Sequence, residues 1–523
     1  MTIATQGDRP FAIASVLART GERAPDAPAI VHDATERSWG NVAGRVSRQA
    51  AALRSVSDLG DRIAIFARNG PHYFEASFAV PWADRVFVPI NERLVLAEIE
   101  RLLNNCPCAV LLFDAEFVDT ARTLAEAGRI RCLFLGDADL RPDFADSFSE
   151  LSRRQQPADP VVPDQDAVWG IIFTGGTTGD PKGVMLTHGA IEYNMATIAH
   201  HLDWGDAPRF LHVTPLFHLA GLGPSFAVTL WGGTHHFMPK FSVPGFLDIM
   251  GRYSITATAL VPTMIAWIAS EEAATRDLLP SWHYMGYGAS AIQEATLRRL
   301  LDRLPQLRLT QFYGQTEACG NLTVLSPDDH RLDGPRPERL RSAGQPAIGV
   351  ELAVVHDDGT HCKTGETGEI TARSNGLFLE YFDHPGLTAE VLDGGWLHTG
   401  DVGYLDECGY LYVTDRMKDM IVTGGENVAS SEVEQVLYAH PDILQCAVVG
   451  VPDPEWGERI HAVCVVRPNT ALDHTAIENF CDGKLARYKI PKSTHISVCP
   501  LPVSALGKIR KDLLRNMKHS GER

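Results

Sequence analysis

Residues 173–183 read Phe-Thr-Gly-Gly-Thr-Thr-Gly-Asp-Pro-Lys-Gly. Gly175, Gly176 and Gly179 let the backbone turn tightly, so several N–H groups can converge on one anion. Thr174, Thr177 and Thr178 add hydroxyl donors, and Lys182 adds a positive charge. The apolar run Val168–Phe173 before the loop reads as a buried strand, and a helical pattern begins near Gly189. Strand, glycine-rich loop and helix together form an arrangement that holds phosphate. A Walker A loop is excluded, because Gly183 rather than Ser or Thr follows Lys182 and the glycine spacing differs. The competing reading is a glycine-rich surface turn.

The elements that position such a loop follow from the rest of the chain. With 523 residues, the chain is long enough for two or more domains with cores of their own. Short apolar runs alternate with helical patterns at Arg62–Phe66, Ala109–Phe113, Val168–Phe173, Thr256–Val261 and Leu307–Phe312, which argues for α/β layers. After about residue 345 the texture changes. Val350–His356, Gly368–Ala372 and Tyr410–Thr414 read as strands separated by turns, a small β subdomain. A compact module follows Lys418. In it, Ser431-Glu-Val-Glu434 reads as a capping box, Gln445–Val451 and His461–Arg467 as strands, and Asp473 as a helix cap. The expected fold is α/β: a large multilayer N-terminal domain (1–417) with a β subdomain (about 346–415), then a small α+β C-terminal domain (418–523).

Composition narrows the partners. A net charge of −18 argues against broad nucleic-acid binding, so each lysine or arginine in a motif carries more information. Ten cysteines in so long a chain do not suggest a disulfide scaffold and read as thiols. The first ten residues lack a basic stretch followed by an apolar core, so no signal peptide is expected and the cytoplasm is the default. From Phe210 to Pro239 there is no charged side chain, but prolines, glycines and four histidines interrupt the run. That pattern predicts buried elements and a pocket wall rather than a bilayer helix.

The loop has company. Tyr313-Gly314-Gln315-Thr316-Glu317 follows a strand, and His398-Thr399-Gly400-Asp401 lies near the β subdomain. Asp415-Arg416-Met417-Lys418-Asp419 leads into Gly424-Gly425-Glu426-Asn427, and Arg487–Lys492 and Gly507-Lys508-Ile509 come near the end. In this order, across roughly residues 10–515, the motifs resemble those of AMP-forming acyl-CoA synthetases in the adenylate-forming superfamily.

The resemblance implies ATP, Mg²⁺ and coenzyme A as cofactors, and a two-step reaction through an acyl-adenylate. It assigns Thr174, Gly175, Gly176, Thr177, Thr178, Gly179 and Lys182 to the β- and γ-phosphates, Glu317 with Thr174 to Mg²⁺, and Thr316 to the α-phosphate. Tyr313, with Gly288, Ala289 and Gly314, would meet the nucleotide. Asp401 and Arg416 would hold the ribose, since a carboxylate offers two acceptor oxygens. Lys508 would carry adenylation as a point charge between two developing anions. This chain has Leu506 before Gly507-Lys508, where Thr is usual in the family. The C-terminal domain of the family rotates about a hinge at the position of Lys418, bringing Gly424, Gly425 and Glu426 in for thioester formation. Arg487 and Lys489 would meet CoA phosphates, and His218 would line the acyl and pantetheine passage.

The acyl pocket is expected to be apolar, with His218, Leu219, Tyr287, Phe312 and Gly314 in its wall. Gly314 leaves room where acetate-specific relatives carry a ring. Phe312 and Tyr287 stand where relatives have Gly, which favours a medium-chain, alicyclic or aromatic acid over a long straight one. The expected partners are small molecules, with no nucleic acid and no stable membrane insertion; a homodimer stays open. The alternatives are a ligase that loads a carrier protein, a luciferase-like monooxygenase on the same fold, and a non-catalytic nucleotide-binding protein.

Overall fold

Strands buried on both faces read as continuous apolar runs, and those runs become the centres of two large sheets. In the computed structural model the described residues are 12–33, 35–128, 130–174, 181–202, 204, 207–290, 292–467, 470–504 and 508–517. Among them, the eight-stranded sheet has at its centre Val168–Thr174, Val86–Pro89, Arg62–Phe66 and Val110–Phe113. The nine-stranded sheet has six neighbouring parallel strands, Arg308–Tyr313, Tyr284–Gly288, Ala257–Leu260, Arg209–His212, Thr234–Phe237 and Pro28–His32.

One core runs between these sheets. It takes Ile65, Phe87 and Trp169 from one, and Ile30, Phe210 and Phe237 from the other. Helices Pro71–Trp82 and Leu219–Trp231 also contribute to it. A helix buried on nearly every side is apolar all round, which accounts for the uncharged stretch from Phe210 to Pro239. That stretch is strand Arg209–His212, helix Leu219–Trp231 and strand Thr234–Phe237. No described helix is long and apolar enough to cross a membrane.

The β region matches its sequence pattern. Glu351–Val355, Gly368–Arg373, Trp396–Leu405 and Leu411–Arg416 pair antiparallel in a five-stranded sheet. A further five-stranded sheet is built from residues 421 to 497. Helices Ser430–Tyr438 and His474–Cys481 cover one face through Val433, Leu437 and Ile477. Leu514 of helix Lys511–Arg515 covers the other face. Asp473 caps its helix by accepting from the Ala476 N–H at 2.8 Å.

Two local expectations fail. The helix expected near Gly189 begins at His188 with Thr187 as its cap, but Lys182–Thr187 before it is an unexpected strand, antiparallel to Val168–Thr174. The phosphate-type loop therefore closes a hairpin, and the helix N-terminus does not follow it directly. Ser431-Glu-Val-Glu434 is not a capping box either. The helix starts one residue earlier, at Ser430. Ser431 Oγ donates to the Thr414 carbonyl, while Glu434 Oε1 accepts from the Val448 N–H at 2.8 Å. The orphan N–H of Ser430 is satisfied by the Asp415 carboxylate from another sheet.

Candidate active site

The hairpin fixes the two ends of the glycine-rich loop. Thr174 and Lys182 face each other in register, and the Thr174 hydroxyl donates to the Lys182 carbonyl at 3.5 Å. Gly175, Gly176, Thr177, Thr178 and Gly179 lie outside the described residues. The edge strand Glu380–Tyr381 pairs with Lys182–Thr187 and lays the Tyr381 ring 5.4 Å from the Lys182 ammonium. The Tyr381 hydroxyl donates to Glu317 Oε1 at 2.8 Å, and the Phe378 N–H to the Glu317 carbonyl at 2.8 Å. Lys182, Tyr381 and Glu317 thus form one group. Thr316 and Glu317 lie in a single 3₁₀ turn after strand Arg308–Tyr313.

A second group forms where two β-region strands pair. Asp401 and Arg416 are register partners, and Arg416 Nε lies 3.3 Å from Asp401 Oδ1. The Tyr313 hydroxyl donates to Asp401 Oδ2 at 2.8 Å. Burial and that carboxylate push the Tyr313 phenol well up, so it stays a donor. Gly400 has φ +69°, a conformation that favours glycine. Its N–H donates to Glu369 Oε1 at 3.1 Å, while Glu369 Oε2 sits 2.8 Å from His398 Nδ1.

Lys508 reaches these groups from the C-terminal module. The Ser504 N–H donates to the Lys508 carbonyl at 2.7 Å, and the Lys508 N–H to Ser504 Oγ at 3.2 Å. Arg93 of the N-terminal domain donates to the Ser504 carbonyl at 3.1 Å. Burial and the Arg416 charge push the Lys508 ammonium down to about 8, against the opposing pull of Asp401 and Glu317. The same ammonium, after burial and with Arg93, holds His218 down at about 3. His218 is therefore neutral at working pH. Its Nε2 has no hydrogen-bond partner among the described residues.

The structure does not bring every expected residue here. Gly424 and Gly425 form an exposed hairpin turn, Glu426 and Asn427 are exposed at the start of the strand that follows, and the Gly424 N–H donates to the Trp456 carbonyl at 2.9 Å. Lys418 is exposed in the 3₁₀ turn Met417–Asp419. Lys489 is paired with Glu432 at 2.7 Å.

Alternation along a strand separates the pocket residues. Phe312 lies on the face of Gly286 and Leu202, where a Cβ on Gly286 would come 3.7 Å from the Phe312 ring and 3.8 Å from Leu202. Tyr287 lies on the opposite face, buried in a separate core. Its hydroxyl lies 2.8 Å from His330 Nε2 and 3.2 Å from Gln311 Oε1. Tyr287 is therefore a core residue and not a wall of the space that Phe312 faces. Gly314 also has a different reason to be glycine: a Cβ there would sit 2.4 Å from the Gly320 carbonyl oxygen. Leu219 is buried 3.8 Å from the position of a Cβ on Gly320, so it backs the same turn. Gly288 and Ala289 end strand Tyr284–Gly288, with Ala289 at φ +70°.

Tyr381, Glu369 and Arg93 were not singled out from the sequence. A tyrosine on a two-residue edge strand, a glutamate within Gly-Glu-Ile-Thr and an arginine after Asn-Glu carry no local signal; only pairing across the sheets brings them in.

Comparison with known proteins identifies the family. The family model for AMP-binding enzymes matches residues 17–382, and that for the AMP-binding enzyme C-terminal domain matches residues 432–508. A feruloyl-CoA synthase of an Amycolatopsis species is 35% identical over 95% of this chain and 97% of its own. An indoleacetate–CoA ligase of Aromatoleum aromaticum is 34% identical over 94% and 95%. The structure of o-succinylbenzoate CoA synthetase from Bacillus subtilis with its acyl-adenylate superimposes with a TM-score of 0.82 at 27% identity, covering 96% of this chain and 98% of that one.

Proposed function

The chain belongs to the AMP-binding enzyme family and is an AMP-forming acid–CoA ligase, and from that premise we propose how its residues divide the work and which acids it takes. The carboxylate of an acid attacks the α-phosphate of ATP and pyrophosphate leaves. The CoA thiol then attacks the mixed anhydride, and AMP leaves.

The first step crowds anions together, so charge neutralisation dominates it. Lys182 and the Thr174–Gly179 loop cradle the β- and γ-phosphates. Glu317 and Thr174 would hold Mg²⁺. Their oxygens are the hard donors that cation prefers. Tyr381 engages one Glu317 oxygen, and no other described side chain donates to the second. Bound there, the cation supplies charge neutralisation among the phosphate oxygens. Asp401 and Arg416 take the ribose. Tyr313 keeps its ring for adenine while its hydroxyl steadies Asp401, with Gly288 and Ala289 at the edge of the base. Thr316 meets the α-phosphate. His218, neutral, lines the passage for acid and thiol.

Lys508 bridges the acid carboxylate and the α-phosphate. With its pKa at about 8, it is about nine-tenths charged at pH 7. The single observation that carries this reading is that approach: an ammonium from the C-terminal module lies within electrostatic reach of Glu317, Asp401, Arg416 and His218. For the second step the C-terminal domain, 418–523, turns about Lys418 against 1–417 and presents Gly424, Gly425 and Glu426. Use of ATP and CoA fits a cytoplasmic location.

The acid is compact and apolar: medium-chain, alicyclic or aromatic rather than long and straight. Phe312, whose ring borders with Leu202 the space above Gly286, supports this. So do the aromatic acids in the names of the two relatives. The test measures acid-dependent pyrophosphate release and thioester formation across acid classes, with CoA or a carrier protein as acceptor, for the parent, Lys508→Ala and Phe312→Gly. Parent activity on compact acids, lost in Lys508→Ala and extended to longer chains in Phe312→Gly, is expected. A long straight acid preferred by the parent would overturn the substrate assignment.

A further inference from the structure

Lys508 is useful only if its ammonium is held at a fixed distance from Asp401 and Arg416, yet it lies outside the sheet that carries them. One buried polar network joins the two. Asp415 lies in strand Leu411–Arg416, which pairs with the strand carrying Asp401. Its Oδ2 accepts from the Ser430 N–H and, at 2.6 Å, from Ser430 Oγ. Lys511 donates to Ser430 Oγ and pairs with Glu434 at 2.7 Å. Both Lys511 and Glu434 are largely buried, with side chains 16% and 14% exposed.

Lys511 is three residues from Lys508, and the segment between them has little freedom. Val503 and Ile509 form an antiparallel bridge, the Arg510 N–H donates to the Pro502 carbonyl at 2.8 Å, and Leu514 is fully buried. At the end of the same helix, Arg515 bonds Asp419 at 2.8 Å and the Lys418 carbonyl at 3.3 Å. The terminal helix is thus tied to residues 415–419 at both ends.

We propose that Lys511, through Ser430 and Asp415, is a positioning residue for adenylation that holds Lys508 in register with the Asp401–Arg416 pair. This rests on the reading that Lys508 serves the first step. A network confined to one sheet would serve stability alone. This one runs from the strand beside Asp401 into the segment that carries Lys508, and a displacement of about 1 Å at a reacting centre can cost roughly a hundredfold in rate.

The experiment compares the full-length parent with Lys511→Met, Lys511→Arg, the double variant Lys511→Met/Glu434→Gln, and Lys508→Ala. The double variant removes both buried charges at similar volume and covers the case in which Lys511→Met does not fold. Acid-dependent ATP–pyrophosphate exchange reads the first step; thioester formation from supplied acyl-adenylate and CoA reads the second. The expected result is a loss of about tenfold to a hundredfold in exchange for the Met variants, thioester formation within about twofold of the parent, and recovery of most exchange in Lys511→Arg. Equal losses in both steps, or exchange at the parent rate in the folded double variant, would overturn the proposal. Normal exchange in Lys508→Ala would instead sink the reading of Lys508, and the proposal with it.

Discussion

The hydroxyl of Tyr381 donates to Glu317 Oε1 at 2.8 Å while its ring lies 5.4 Å from the Lys182 ammonium. One side chain on a short edge strand therefore orients the carboxylate assigned to Mg²⁺ and flanks the lysine assigned to phosphate. Tyr381→Phe keeps the ring and removes the hydrogen bond. Loss of a partner that orients a metal ligand typically weakens metal affinity by about tenfold or more. The Mg²⁺ concentration that half-saturates ATP binding, measured by calorimetry, is expected to rise about tenfold with no change in ATP binding without metal. An unchanged Mg²⁺ titration would mean that Tyr381 does not orient Glu317.

Lys508 and His218 set different pH behaviour. The Lys508 ammonium is pushed down to about 8 by burial and Arg416, so it loses its proton as pH rises through that value. Adenylation is expected to fall on the alkaline side from about pH 8, or somewhat higher once bound phosphates favour the ammonium. Thioester formation from supplied adenylate should not share that limb. His218, held down at about 3, contributes no acid limb between pH 5 and 8. Pre-steady-state rates of each step from pH 6 to 10 check both statements, and a common alkaline limb would remove Lys508 from its assigned step.

Much of the site is legible in the chain because its groups are local. Thr174 and Lys182, Thr316 and Glu317, and Asp415 and Arg416 each lie within one motif, and the strands that carry them are short apolar runs. What escapes is set by pairing across distance. The hairpin after Gly183 is hidden because Val184–Thr187 is brief and merges with the helical pattern that follows. The Ser431–Glu434 spacing suits a cap, but the Ser431 hydroxyl goes to the Thr414 carbonyl and the Glu434 carboxylate to the Val448 N–H, both distant in sequence. Tyr287 and Phe312 both look like pocket residues until alternation along neighbouring strands puts them on opposite faces. Tyr381 and Glu369 reach Glu317 and Gly400 only through sheet registers that no local pattern encodes.

Glu369 offers a separate test of the strand segment that carries Asp401. Its carboxylate accepts from the Gly400 N–H at 3.1 Å and meets His398 Nδ1 at 2.8 Å, bracketing the residues that lead to Asp401. Hydrogen bonds to a charged acceptor are worth roughly 1.5–3 kcal/mol. In Glu369→Ala the segment loses both restraints while Asp401 keeps Tyr313. The KM for ATP is expected to rise about tenfold with kcat changed less. Equal effects on kcat and KM for the acid, with the KM for ATP intact, would contradict the assignment of this segment to the ribose.

Gly314 separates two explanations of one glycine. If it is there to leave room for the acid, then Gly314→Ala should narrow the range of acids and spare the rest. The contact with Gly320 argues otherwise. An added Cβ would lie 2.4 Å from that carbonyl oxygen, and backbone cannot swing aside as a side chain can. The Gly320 N–H also donates to the Gln315 carbonyl at 2.8 Å, so pushing the two segments apart strains the turn that carries Thr316 and Glu317. Overpacking of this kind costs about 1–3 kcal/mol. Gly314→Ala is therefore expected to lower the denaturation midpoint and to slow adenylation for small and large acids alike. Thermal unfolding together with kcat/KM for a two-carbon and an aromatic acid decides it: a stable variant that loses only the aromatic acid would restore the pocket explanation.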